Sequence, residues 1–303
     1  MKLTNNSDIF DSEFLTKLQG LYLIAKKIAT KAGATLSKSS DLGDGLEFAD
    51  HRDYFPGDDT RFIDWSYYAR MEKVLLRMFH THSQSDVAIF LDSSASMKIE
   101  DHNKGSIFDY ARKISAALCY IAIGSGHRTI IQPFADSLDA SFRTGRNKSN
   151  ILQVINYLNN LRVSNKTKLS KCAKKFAQIP ANISTVVIVS DFFDSADQLS
   201  DALTYLAGAN RKRDIIVIHI YRSVDEAPNL AGSILLTDSE SDQQIKVDVN
   251  AKVLNAYREK WSEFVSKIKA NCTAKNATYI SANSDIPFEE LVLKSLRKAG
   301  VLN

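Results

Sequence analysis

The run Val87-Ala88-Ile89-Phe90-Leu91-Asp92-Ser93-Ser94-Ala95-Ser96 decides how this chain is read. Five consecutive apolar residues make the pattern of a buried strand, and the strand stops at an Asp-x-Ser-x-Ser turn. In open α/β sheets ligands sit just outside the carboxyl ends of the strands. One carboxylate and two hydroxyls at that place form a hard, all-oxygen half-site, which suits Mg²⁺ or a similar cation.

A second β-branched run, Thr185-Val186-Val187-Ile188-Val189, ends at Ser190-Asp191. If both runs are strands of one parallel sheet, Asp92 and Asp191 lie on the same rim. Between them, Lys166-Thr167-Lys168-Leu169 offers a hydroxyl at the head of a helix. Asp92, Ser94, Ser96, Thr167 and Asp191 are therefore expected around one divalent cation, Mg²⁺ first, with Mn²⁺ or Ca²⁺ as alternatives. Mg²⁺ keeps several waters, and few charges in its shell leave it electrophilic. An acid from a partner would then complete the coordination. The bland reading is that Asp and Ser after a strand are turn and N-cap residues. The second strand-end acid and the helix-head threonine shift the weight toward a metal.

Outward from these motifs the chain alternates. Strand patterns at 129–134, 138–142, 215–220 and 278–281 are separated by helical periodicity at 105–124, 150–161, 168–178, 196–208, 251–270 and 287–298. Such alternation predicts a parallel sheet with helices on both faces. Residues 233–236 and 244–247 flank a polar turn and predict a hairpin. Upstream, 12–33 is helical in spacing, 46–70 is dense in charge and aromatics, and 74–79 is a short strand. The division expected is an N-terminal extension over 1–85, packed on a main domain over 86–303 with a hairpin insertion near 230–248.

Composition bounds the class. The chain has 303 residues, 44% of them apolar, so a full core forms without disulfides. The three cysteines, Cys119, Cys172 and Cys272, form no Cys-x-x-Cys pair, which argues against a disulfide framework or a zinc site. No signal-like core or membrane-length apolar run is present, and the expectation is a cytoplasmic protein. A net charge of +4 is too small to argue for nucleic acid. Its distribution says more: from Ala140 to Ser190 there is no acid, while Arg143, Arg146, Lys148, Lys166, Lys168 and Lys171 all fall there. This is either a solvated face or a positive surface that steers an acidic partner.

At this point the motifs resemble those of a von Willebrand factor A-type domain, whose metal-ion-dependent adhesion site uses Asp-x-Ser-x-Ser, a later Thr and a later strand-end Asp. The resemblance places Asp92, Ser94 and Ser96 in the first motif, Thr167 in the second and Asp191 in the third. The chain departs from it by lacking a glycine two residues before Thr167. It also reads Ser190-Asp191-Phe192 where many members have Thr-Asp-Gly. Upstream, Glu47-Phe48, Arg52-Asp53-Tyr54, Pro56-Gly57-Asp58-Asp59, Arg61, Ile63-Asp64-Trp65 and Ala69-Arg70 are similar to the signature of the bacterial family called domain of unknown function 58. The segment from Val224 to Asp238 resembles that family's hairpin region. The resemblance implies a three-layer, Rossmann-like von Willebrand A-type fold with a mostly parallel sheet. It also implies an adaptor or co-chaperone role beside a MoxR-type AAA+ ATPase in protein maturation or stress response. The signature charges, Arg52, Asp58, Asp59, Arg61, Asp64 and Arg70, read as a buried network around Trp65 and Tyr54, with Gly57 supplying a turn after Pro56.

Two functions follow from different classes. The first is a non-enzymatic, metal-dependent protein-interaction module with no nucleic-acid partner and no membrane span. The alternative is a metal-dependent phosphate-ester hydrolase. Against the second, no histidine is positioned near the three motifs, and neither a Gly-x-Ser-x-Gly elbow nor a phosphate loop occurs. His80 and His82 share a strand face but lack a third zinc ligand at matching spacing.

Overall fold

The computed structural model describes residues 9–31, 42–80, 86–101, 105–145, 150–163, 166–179, 182–193, 195–208, 213–228, 232–237 and 244–298. In chain order the elements are α1 (Ser12–Lys31), β1 (Leu42–Asp53), α2 (Trp65–Met71), β2 (Leu75–His80), β3 (Asp86–Asp92), β4 (Glu100–Asp101), β5 (Gly105–Ser106), α3 (Ile107–Gly124), β6 (Arg128–Phe134), β7 (Phe142–Arg143) and α4 (Ile151–Asn160). They continue as α5 (Leu169–Ala177), β8 (Ile183–Ser190), α6 (Leu199–Ala207), β9 (Asp214–Tyr221), α7 (Ser223–Glu226), β10 (Gly232–Thr237), β11 (Gln244–Val249), α8 (Ala251–Ala274), β12 (Thr278–Asn283) and α9 (Phe288–Lys298). The chain forms two compact units: Met1–Ala29 with Ser85–Asn303, and Thr30–Gln84.

The larger unit is built on a six-stranded sheet in the order β12-β9-β8-β3-β6-β7. Every neighbouring pair is parallel except β6 and β7. The alternation of side chains along each strand explains why the apolar runs are unbroken. Ile89, Leu91, Val187, Val189, Ile218 and Ile220 enter one core; Ala88, Phe90, Val186, Ile188, Ile215 and Val217 enter the other. Both faces are thus covered, as a parallel sheet requires. Helices α1, α3, α4 and α9 supply the first core through Leu18, Ile114, Leu158 and Val292. Helices α5, α6 and α8 supply the second through Phe176, Leu203 and Ile268. Each such side chain contributes roughly 1.5–3 kcal/mol by leaving water.

Helix α3 starts where it does because Ser106 and Asp109 close a capping box. Its Arg112 bonds Asp109 and donates to the Leu158 carbonyl at 3.1 Å, tying α3 to the end of α4. The other end meets α1. Tyr22 Oη donates to the Gly124 carbonyl at 3.2 Å, and a Cβ at Gly124 would lie 2.0 Å from the Tyr22 ring. Glycine is needed there for close approach. Phe14 of α1 also packs in a tilted arrangement against Phe288 of α9, with centroids 5.0 Å apart.

The hairpin is present as β10 and β11, paired from Gly232↔Val249 to Thr237↔Gln244. The strand expected over 138–142 is not: β7 has two residues, and Leu138 makes only an isolated bridge to Phe134.

The smaller unit pairs β1 with β2 in antiparallel register, with irregularities between Leu42 and Glu47 and between Phe48 and Asp50. Strand β1 has no counterpart in the sequence reading, because Asp, Gly, Glu and His interrupt its alternation.

Candidate metal centre

Three loops meet at the carboxyl end of the large sheet. Strand β3 runs beside both β8 and β6, with Leu91 opposite Val189 and Asp92 opposite Phe134. The turn after β3 therefore lies between the exits of its two neighbours. Ser93 is fixed there by donating from both its N–H and its Oγ to the Phe134 carbonyl, at 2.9 and 3.1 Å. The loop carrying Thr167 is drawn to the same rim, since Lys168 N–H donates to the Ala135 carbonyl at 2.8 Å. Asp191 stands one residue beyond β8.

The hydrogen bonds make this a cluster of oxygens. Ser94 N–H donates to Asp92 Oδ1 at 2.9 Å, and Ser190 Oγ donates to Asp92 Oδ2 at 2.5 Å. The hydroxyls of Ser94 and Ser96 lie 3.0 Å apart. Asp191 Oδ1 accepts from Phe193 N–H at 3.2 Å. Asp92 and Asp191 are each 1% exposed, and Ser94, Ser96, Thr167 and Ser190 are buried as well.

Asp92 is the informative member. Among the described residues its partners are hydroxyls and an amide, and no Lys or Arg hydrogen-bonds to it. Burial pushes its carboxyl above the usual carboxylate range, against the pull of hydrogen bonds from Ser190 and Ser94. An ionised carboxylate in such a place needs a counter-charge. Two carboxylates with several hydroxyls fit a hard divalent cation that keeps waters. Among the described residues no group of three or more His, Cys, Asp and Glu side chains gathers anywhere. The oxygens gathered at this rim are mostly hydroxyls, from Ser94, Ser96 and Ser190 around Asp92.

Two features of the rim escape the sequence reading. Ser190 bonds Asp92 directly, although it is not among the five expected ligands. His219 lies opposite Ser190 in the β8–β9 register. It is fully buried and ringed by Phe192, Tyr221, Trp261, Phe264 and Tyr279, with Nδ1 3.0 Å from Tyr279 Oη. Burial holds it neutral, with its pKa pulled down to about 4. Only the register, a long-range fact, places it there.

At Phe192 the chain turns left-handed, with φ 58°. This is the position where the resembled pattern carries glycine. A non-glycine residue there costs about 1–2 kcal/mol. Full burial of the Phe192 ring in the second core offsets it. The turn sends the next residue, Phe193, outward.

The family model described as "Protein of unknown function DUF58" matches residues 50–267. The chain belongs to the DUF58 family. Among the solved structures that overlap it are three weak matches. BatB, a conserved hypothetical protein from Bacteroides thetaiotaomicron, is 11% identical over 71% of this chain and 98% of its own, with TM-score 0.43. An aerotolerance-related membrane protein from Bacteroides fragilis NCTC 9343 is 13% identical over 71% and 98%, with TM-score 0.43. The SpRpn10 VWA domain is 12% identical over 70% and 95%, with TM-score 0.38. At such scores the overlap says nothing of function. No curated protein matches the chain.

The DUF58 match takes in most of the charged signature, and here one expectation is corrected. The signature charges form separate local pairs, not a buried network. Arg52 Nη2 bonds Asp58 Oδ1 at 2.8 Å, and Arg61 Nη2 bonds Asp59 Oδ2 at 2.6 Å. Asp64 accepts from Tyr67 N–H as the N-cap of α2 and meets His51 Nε2 at 2.9 Å. Arg70 Nε donates to the Ser66 carbonyl at 3.1 Å. Trp65 is 62% exposed, so it is no hub for these charges. Short-range pairs between near neighbours satisfy the carboxylates without burial. Gly57 does supply the turn: φ is 109°, and Asp58 N–H donates to the Phe55 carbonyl at 3.0 Å.

Of the basic residues, Arg143, Lys166, Lys168 and Lys171 are exposed. Arg146, Lys148 and His82 lie outside the described residues. No described helix is long and apolar enough to cross a membrane.

Proposed function

We propose that this DUF58 chain is a metal-dependent protein-interaction module of von Willebrand A type, with no reaction of its own. One observation carries the reading: the Asp92 carboxylate is buried at a strand end among hydroxyls, with no cationic side chain among the described residues bonded to it. Asp92, Ser94, Ser96, Thr167 and Asp191 would hold Mg²⁺ or a similar ion directly or through water. The ion would supply a Lewis-acidic site for a partner's carboxylate. The exposed lysines of the Thr167 loop and α5 raise the local positive potential, which speeds encounter with acidic surfaces. By its family resemblance, the partner class is a MoxR-type AAA+ ATPase or its client.

The hydrolase reading finds less support. The one described histidine beside the rim, His219, has no solvent access and sits in an aromatic cage. It is not placed to take a proton from a water at the rim.

The test is capture of partners from the native cell on wild type and Asp92→Ala, in Mg²⁺, with elution by EDTA. The same two proteins are assayed for phosphatase and nuclease turnover with Mg²⁺ and Mn²⁺. The module reading predicts EDTA-released partners on wild type only, and no turnover. Turnover abolished by Asp92→Ala would replace it with the hydrolase.

A further inference from the structure

The residue that follows the Asp191-Phe192 turn is an exposed aromatic. Phe193 is 38% exposed, yet its N–H is bonded to Asp191 Oδ1. An apolar ring is thus fixed to the backbone that carries a candidate ligand. The ring stacks on Phe264, with centroids 5.6 Å apart and planes 10° apart, and tilts against Trp261 at 6.0 Å. Trp261 in turn meets Tyr221 at the end of β9. One turn before Trp261 on α8 stands Tyr257, 39% exposed, with its hydroxyl donating to the Asp225 carbonyl at 2.6 Å. Together they make an aromatic shelf that starts at the metal rim and runs along α8 toward its N-terminus.

The other side of the same loop is basic. Ser170 N–H at the head of α5 donates to Gln198 Oε1 at 3.2 Å, so α5 abuts the segment just beyond Phe193. Exposed Lys168 and Lys171 stand at that head of α5. Neither forms an ion pair among the described residues. On the α8 side Asp197 is taken up by Lys267. The cations at the head of α5 and the exposed Phe193 ring thus both border the loop that follows Asp191.

We infer that the rim reads a two-part signal in a partner protein: a carboxylate for the ion and, one to three residues away, a bulky apolar side chain laid on Phe193, Trp261 and Tyr257. This rests on the metal-module reading above and adds to it the kind of segment that is bound. The lysine flank favours an acidic partner surface. Aromatic side chains are enriched among the residues that dominate binding energy at interfaces, which gives the shelf its part in affinity. A carboxylate alone on a hydrated ion would distinguish no partner from another.

The test uses the full chain and a displayed library of random heptapeptides, selected in Mg²⁺ and eluted with EDTA. The expected pool is enriched in Asp or Glu with Leu, Ile, Phe or Met within three residues. Phe193→Ser should weaken the best synthetic peptide about tenfold. Its Mg²⁺ affinity by calorimetry should remain that of wild type, which also reports that the variant is folded. Tyr257→Ser should act in the same direction by a smaller factor. A pool enriched in acids without an apolar neighbour, or peptide affinity unmoved by Phe193→Ser, overturns the shelf and leaves the metal reading standing. Mg²⁺ binding with no enriched pool also overturns the shelf. Peptides retained in EDTA, or a wild type that takes up no Mg²⁺, overturn both.

Discussion

His219→Gln should flatten the acid side of the stability profile. His219 lies in the second core's aromatic ring, against Phe192, Tyr221, Trp261, Phe264 and Tyr279. Burial lowers its pKa to about 4, a hydrogen bond with the Asp191 backbone opposes the shift, and Lys269 adds a smaller push downward. In the unfolded chain the imidazole titrates near its ordinary value of about 6.5. Between these two values the unfolded state binds the extra proton, so stability rises with pH. The contribution is complete above pH of about 6.5 and is lost as pH falls toward about 4. A gap of about 2.5 units corresponds to about 3 kcal/mol, with about 2 kcal/mol already lost at pH 5. The assay is urea unfolding at pH 7.5, 6 and 5 with EDTA present, for wild type and His219→Gln. Glutamine keeps a polar partner for Tyr279 and has no proton to gain. The variant should start less stable at pH 7.5, and the gap should close by about 2 kcal/mol at pH 5. A gap that stays constant across the three pH values would refute the claim that this imidazole is held neutral in the fold.

Three further outcomes follow from packing. Gly124→Ala should cost about 1–3 kcal/mol by thermal or urea unfolding, because the new methyl must displace the Tyr22 ring that seats α1 on α3. An unchanged stability would mean that α1 docks elsewhere. Phe192→Gly relieves a left-handed φ but empties a fully buried ring site, so a net loss of about 2–3 kcal/mol is expected. A more stable variant would show that backbone strain outweighs the core here. Finally, Cys119, Cys172 and Cys272 are all free and buried, and burial pushes their thiols up to about 12, 11 and 12. None should react with a thiol reagent at pH 8 until guanidinium unfolds the chain. Rapid labelling of native protein would contradict their burial.

The strands that organise the sheet are legible in the chain because both faces are covered. Where no side of a strand meets water, apolar residues run without interruption, as at 87–91, 186–189 and 215–218. Strand β1 was not legible: it pairs in a two-stranded ribbon with irregular register, and its polar residues carry no period-2 signal. At the rim, the Asp92, Ser94 and Ser96 turn is local and reads directly. Thr167 and Asp191 are found by their place in the strand and helix order. Ser190 and His219 were invisible as neighbours, because their roles come from the pairing of β8 with β3 and β9. The signature block misled in a different way. Mixed charges beside aromatics suggest burial, but Arg52 with Asp58 and Arg61 with Asp59 pair within a few residues in partly open positions, and Trp65 faces solvent.

On this reading Asp92 is built to face a cation. Calorimetric titration of Mg²⁺ into metal-free wild type and Asp92→Asn tests it most directly. One saturable site is expected in wild type and none in the variant. The metal-free variant should also melt no lower than metal-free wild type, since asparagine removes an ionisable group that burial disfavours as a charge. No heat with wild type, or the same isotherm from both proteins, would contradict the reading.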